Sequence, residues 1–198
     1  MTKTMRILAS WLCGPLAAVA VAATGTVQAN AAEKLDGYWM DSHGEVILDI
    51  RRCGKARCGK VAWLRKPRGP NGGPLRDFRN TDPKLRRRFV CGLHVITGFK
   101  KQGGGTWGDG TVYIPDHGMS VSGYAQVLGS NRVKVTGYFL LPIFGSSEVW
   151  TRVKGALPTC AEQAEMIKTG RWIADLSVWR AKRAAAQEKK PAPPVAAR

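Results

Sequence analysis

Negative charge is scarce in this chain. Only 14 Asp and Glu stand against 31 Lys and Arg in 198 residues, which gives a formal net charge of +17 and a pI near 10.2. Such a surface favours anionic partners, and charge alone does not choose among nucleic acid, anionic lipid and acidic polysaccharide. Histidine is scarcer still: His43, His94 and His117 lie on separate segments. Ser120 and Ser122 stand near His117, but no Gly-x-Ser-x-Gly elbow is present, and paired acid–base groups are missing. The expectation is a protein without enzymatic activity and without catalytic residues. Metal-ligating patterns are also lacking. Cys53 and Cys58 have four residues between them and no second close pair after them. Asp77, Asn80 and Asp82 lack the glycine and distal glutamate of a calcium loop, and arginines surround them. No metal and no cofactor are expected. Asp82 reads instead as the cap of a turn begun by Pro83, and Asp77 as the partner of a nearby arginine. No internal repeat is visible.

The one long apolar run lies at the N-terminus. Lys3 and Arg6 precede a run of about 17 residues, Ile7 to Ala23, with small-x-small sites ending at Ala29 and Ala31. This reads as a secretory signal over residues 1–31, short for a membrane span and interrupted by Gly14 and Pro15. Its removal leaves no transmembrane span and four cysteines. An even count in an exported chain argues for disulfides. Cys53 and Cys58 are close enough to close a small loop, which leaves Cys91 with Cys160, although four cysteines allow three pairings.

Residues 35–154 alternate apolar and polar positions between turns rich in Gly, Asn and Pro. Val46, Leu48 and Ile50 share one face of a strand, and segments 93–99, 132–139 and 148–153 alternate likewise. Further strands are predicted at 37–41, 58–64, 110–115 and 119–127. No helical crossover separates the eight, so the sheet should be antiparallel and either a closed barrel or a sandwich. Arg65–Thr81 is the longest irregular stretch. Residues 159–190 change character: Thr159 and Glu162 form a capping box before Met166, Ile167, Trp172, Ile173, Leu176 and Trp179 at helical spacing, with Gly170 dividing the run. This helical extension carries Arg171, Arg180, Lys182 and Arg183 on its other face, which suits a membrane surface or, preferably, docking onto the body. Residues 191–198 read as a Pro/Ala tail and are expected to be disordered.

The motifs Asp36-Gly37-Tyr38-Trp39, Cys58-Gly59-Lys60-Val61-Ala62-Trp63, Asp77 with Asn80-Thr81-Asp82-Pro83, Trp107-Gly108-Asp109-Gly110, Tyr113 with Pro115, and Trp150-Thr151-Arg152 occur in one order. In this order they resemble the bacterial exported family of unknown function DUF2147 over residues 36–153. The resemblance implies a Gram-negative, periplasmic setting and brings no chemistry with it. The chain departs from the family pattern in three places. Asn80-Thr81-Asp82-Pro83 replaces Asn-Pro-Asp-Pro, Tyr113-Ile114-Pro115 replaces Tyr-Asp-Pro, and Gly118-Met119 replaces Gly-Lys. At the level of fold, Gly37 and Trp39 on the first strand and Arg152 on the last resemble the hallmark of calycins, including lipocalins. That resemblance implies an all-β, eight-stranded antiparallel calycin-like barrel closed at one end by Trp39 under Arg152; the C-terminal α-helical extension, read from its spacing, lies outside the resemblance.

Two roles follow. The first is a periplasmic, non-enzymatic barrel binding a small apolar or amphipathic ligand, with Trp63, Trp107, Tyr124 and Tyr138 as cavity candidates. The second is an envelope-associated scaffold. Residues 51–88 hold 14 cations against Asp77 and Asp82 alone. An exported chain meets anionic lipid or polysaccharide rather than nucleic acid, so Arg65, Lys66, Arg86, Arg87 and Arg88 are the surface candidates. An enzyme working through the 65–82 loop and His117 is the least favoured reading.

Overall fold

The computed structural model describes residues 34–188. The expected export signal (1–31) and the tail (191–198) lie outside the described residues. Eight strands occupy the eight alternating runs: β1 (Gly37–Met40), β2 (Val46–Cys53), β3 (Ala56–Leu64), β4 (His94–Gly103), β5 (Thr106–Ile114), β6 (Met119–Val127), β7 (Arg132–Tyr138) and β8 (Gly145–Val153). Each pairs antiparallel with the next, and β1 pairs with β8, so the sheet is a closed barrel. Closure leaves no free edge. The β4–β5 hairpin runs further than its alternation suggests, because Lys100–Gln102 and Trp107–Gly110 carry no clear two-residue period.

Inward positions at one end are filled by large side chains. Trp39, Ile50, Phe99, Ala125 and Val133 are fully buried there, with Trp107 beside them. Phe99 fits because Gly110 and Gly123 face it: a Cβ at Gly110 would strike its ring, and one at Gly123 would crowd it and strike Val112. Arg152 closes this end. Its guanidinium carbon lies 4.0 Å from the centre of the Trp39 ring, a contact worth about 0.5–2 kcal/mol. It also donates to the carbonyls of Ser130, Asp36 (2.7 Å) and Lys34 (2.8 Å). Burial lowers the Arg152 pKa from its usual high value, opposed by the charge of Asp36. Gly37 makes room for this clamp: its φ is +136°, and a Cβ there would run into Arg152 Nη1. Trp39 Nε1 donates to the Leu35 carbonyl at 2.7 Å, so the buried indole is satisfied. A disulfide between Cys53 and Cys58 closes the β2–β3 hairpin.

At the opposite end a loop spans residues 65–93, with one 3-10 turn at Pro83–Leu85. Asp82 caps that turn, accepting from the Lys84 amide at 2.9 Å. Asp77, 1% exposed, anchors the loop to the barrel. Its carboxylate accepts from the Tyr113 hydroxyl (2.6 Å), Asn80 Nδ2 (2.9 Å) and Arg88 Nε (2.8 Å). Three charge-assisted bonds satisfy a carboxylate that would be costly to bury bare. The loop also lies flat on the β5–β6 turn. Arg79 Nη1 donates to the Asp116 carbonyl at 3.0 Å. Gly118 (φ +68°) has no space for a Cβ against the Arg79 carbonyl.

Two helices follow the barrel, α1 (Cys160–Lys168) and α2 (Leu176–Glu188), with the chain turning at Gly170 between them. The capping box of Thr159 and Glu162 opens α1. A disulfide joins Cys160 to Cys91, and Gln163 Nε2 donates to the Ala62 carbonyl at 2.7 Å. Trp172 donates to the Arg65 carbonyl at 3.1 Å, and its ring centre is 6.3 Å from that of Trp63. The first helix is therefore docked on the outside of β3 with Ile167 buried, while α2, with Trp179 buried, is held to the preceding segment by Arg180 on the Ala156 carbonyl (2.9 Å) and Arg183 on Glu162 (3.1 Å).

Candidate ligand-binding cavity

The half of the barrel away from Arg152 is hollow. A cavity of about 720 Å³ extends from mid-barrel to the loops 41–45, 65–93, 115–118 and 139–144. Its walls are chiefly aliphatic and of modest size: Leu48, Val61, Val95, Val112, Val121 and Val135 point in from successive strands. Valines at inward positions leave the axis empty, where Phe99 and Trp107 fill it lower down. Trp150 and Tyr113 add aromatic surface, and Leu75 and Val90 of the long loop complete the wall. The volume falls in the range that holds one small organic molecule.

The throat is acidic although the protein is basic. Asp41, Glu45, Asp116 and Glu148 line it against Lys66 alone. Asp41 is occupied in its own turn, accepting from the amides of Glu45 (2.7 Å) and Val46 (3.0 Å). Glu45 pairs with Lys66 at 2.7 Å. That hydrogen bond and the lysine charge hold its carboxyl below the usual range. Glu148 accepts from Trp150 Nε1 (3.0 Å) and Ser42 Oγ (3.1 Å), which fixes its carboxylate beside the indole. Burial and the adjacent Asp77 raise the Tyr113 hydroxyl above its ordinary pKa, so it stays a proton donor. Hydrogen bonds to Asp77 and Tyr113 raise Arg88 against the opposing effect of burial.

None of the four aromatic cavity candidates lines this space. Trp63 faces outward beneath Trp172. Strict alternation through Gly59 and Val61 carries Trp63 inward, but a bulge in the β2–β3 pairing matches Ile47 with Trp63 and Leu48 with Val61. Ala62 is the extra residue, and the phase flips so that Leu64 takes the inner place. Trp107 belongs to the filled end, where the Arg57 guanidinium lies 4.8 Å from its ring centre. Tyr124 and Tyr138 stand on the outer face, rings 6.1 Å apart, because Gly123 and Gly137 hold the inward positions beside them. The inward valines were the available signal, and their modest size made them look like ordinary core. Among the surface candidates, Arg65, Lys66, Arg86 and Arg87 are exposed on the long loop. Arg88 is not free for an external anion, since it is bonded to Asp77. His43, His94 and His117 are exposed and lie on three different elements, outside the cavity lining.

The sequence pattern of a family described as "Uncharacterized protein conserved in bacteria (DUF2147)" matches residues 37–152, from the glycine that admits the clamp to the arginine that forms it. The chain belongs to the DUF2147 family. Its bacterial membership and its two disulfides are consistent with an exported protein. Among solved structures, this DUF2147 chain is similar to protein HP1028 from the human pathogen Helicobacter pylori, which belongs to the lipocalin family. The TM-score is 0.53, with 17% identity over 68% of this chain and 89% of that one. The likeness is one of fold, and the barrel is lipocalin-like. No match was found among curated proteins. Ile114 and Met119, two of the positions where the chain departs from the resemblance, are direct cross-strand partners at the β5–β6 turn.

Proposed function

We propose that this DUF2147 protein is a periplasmic, non-enzymatic binding protein that holds one small amphipathic ligand in the hollow half of its barrel. The observation that carries this reading is the 720 Å³ cavity walled by valine and leucine and opening among four loops. Filling that space with water would leave an apolar wall wetted. Filling it with an alkyl or ring system removes that area from water at about 25 cal/mol per Å². The throat supports a choice of head group. Four carboxylates against one lysine disfavour an anionic head and favour an uncharged or cationic one. Trp150, oriented by Glu148, offers an indole beside that carboxylate.

The test is displacement of the neutral fluorophore N-phenyl-1-naphthylamine, together with native mass spectrometry of protein purified from the periplasm. Dodecylamine and dodecanol are expected to displace the fluorophore at lower concentration than dodecanoate. Val135→Phe, which places a ring in the empty half, is expected to weaken fluorophore binding about tenfold or more while changing stability by less than about 1.5 kcal/mol. Failure of the fluorophore to bind, or unchanged binding in Val135→Phe, overturns the reading.

A further inference from the structure

Among the described residues, most of the exposed large apolar side chains are gathered at the open end; Leu128, Val149 and Val178 are single residues elsewhere. The loop 139–144, between β7 and β8, exposes Leu140 (93%), Ile143 (80%) and Phe144 (66%) in immediate succession around Pro142. On the other side of the opening the long loop exposes Phe78, Leu85 and Phe89. Scattered single residues of this kind are ordinary, whereas a contiguous crest is not. Leu140 sits at the tip with φ +58°, a left-handed conformation that leucine seldom adopts. The loop thus holds a strained backbone that places a large apolar side chain in solvent.

The same end carries basic charge, interleaved with the apolar residues. Between Arg65 and Arg88 there are nine cations against Asp77 and Asp82. Arg79 follows Phe78, and Arg86 and Arg87 follow Leu85. The Arg76 guanidinium lies 4.2 Å from the centre of the Phe89 ring. The two loops share one rim. Lys66, Pro115, Asp116, Phe139 and Phe144 all line the same cavity, and Arg79 is bonded to the turn at Asp116.

We propose that the open end of the barrel is a docking surface for an anionic lipid bilayer. The 139–144 crest enters the interfacial layer while Arg79, Lys84, Arg86 and Arg87 meet lipid phosphates. Apolar side chains at the tip and cations just behind them match the order of layers met on approaching a leaflet. Charge complementarity selects a bilayer carrying anionic lipid. The acidic throat lies inside the basic rim, so the anionic lipids that attract the protein are not the ligand it admits. Docking turns the cavity mouth toward the membrane. This surface rests on its own residues and stands whether or not the cavity holds a ligand.

Flotation of the purified protein with phosphatidylcholine vesicles, with and without phosphatidylglycerol, tests the proposal. Binding is expected only with phosphatidylglycerol present and is expected to weaken as salt rises. Leu140→Ser with Ile143→Ser removes two exposed side chains, so folding is not at stake. That variant is expected to lose about tenfold or more in vesicle affinity with an unchanged melting temperature. Arg86→Glu with Arg87→Glu is expected to abolish the phosphatidylglycerol preference. Absent binding to phosphatidylglycerol vesicles, or unchanged binding in either variant, overturns the proposal. So does a wild-type dimer that becomes monomeric in Leu140→Ser with Ile143→Ser, since a second copy would then cover the crest.

Discussion

The two ends of this barrel are built from the same eight strands and have opposite interiors. At the closed end the inward positions hold Trp39, Ile50, Phe99 and Trp107, and Arg152 ties three backbone carbonyls across them. At the open end the inward positions hold mostly valines, and the space they leave is empty. Strand number sets the barrel's width, but side-chain volume along each strand decides whether that width is filled. The outer surfaces follow the same division. Apolar side chains and unneutralised arginines collect around the mouth, where they cost solubility and contribute nothing to the core. Stability is thus concentrated at one end, and the features that point to ligand and membrane are concentrated at the other.

Matched truncations break this comparison most directly. Trp39→Ala removes a fully buried indole from the filled end and leaves Arg152 without its ring, so a loss of about 3–5 kcal/mol is expected. Trp150→Ala acts on a half-buried indole that already borders empty space, and about 1–2 kcal/mol is expected, together with weakened fluorophore binding. Chemical denaturation of the two variants reads the difference. Equal losses would show that the two halves are packed alike. The disulfides give a second contrast. Cys53 and Cys58 are 5 residues apart and Cys91 and Cys160 are 69 apart. Loop-closure entropy makes the longer bridge worth about 2 kcal/mol more. Cys91→Ser with Cys160→Ser is therefore expected to cost roughly 2–4 kcal/mol and to expose the Trp63–Trp172 contact to solvent. Proteolysis within 155–175 in that variant, with the barrel left intact, would locate the loss in the extension.

Much of this architecture was legible in alternation. Val46, Leu48 and Ile50, and later Val133 and Val135, mark strand phase without ambiguity, and Thr159 with Glu162 marks the start of α1. The cavity was harder to read because its signal is a volume. A valine facing an empty axis and a valine facing a packed core look the same in sequence. Trp63 shows the second obstacle: a one-residue bulge at Ala62 inverts the phase, and only the register of β2 against β3 reveals it. Phe139–Phe144 shows a third. A short apolar run around Pro142 reads as the end of a strand, and its exposure depends on the turn that lifts it off the barrel.

The smallest expected effect concerns the throat and sharpens the contrast between its acidic lining and the basic rim. Lys66 belongs by sequence to the basic loop, yet its ammonium pairs with Glu45, its neighbour beyond the paired ends of β2 and β3. The hydrogen bond and charge of Lys66 depress the Glu45 carboxyl below its ordinary value of 4.5 in the folded protein. A depressed carboxyl stabilises the fold above the unfolded value, and that contribution is lost as pH falls through the lower, folded one. The pair is therefore intact at neutral and mildly acidic pH and opens only in stronger acid. Lys66→Ala is expected to return the Glu45 carboxyl toward 4.5 in a carbon-detected NMR titration. It also leaves four throat carboxylates without their lysine, so dodecylamine should bind about two- to fivefold more tightly at neutral pH, the scale of one exposed ion pair. An unmoved Glu45 titration would show that the lysine belongs to the rim and not to the throat, and that the boundary between the two charge zones lies further in.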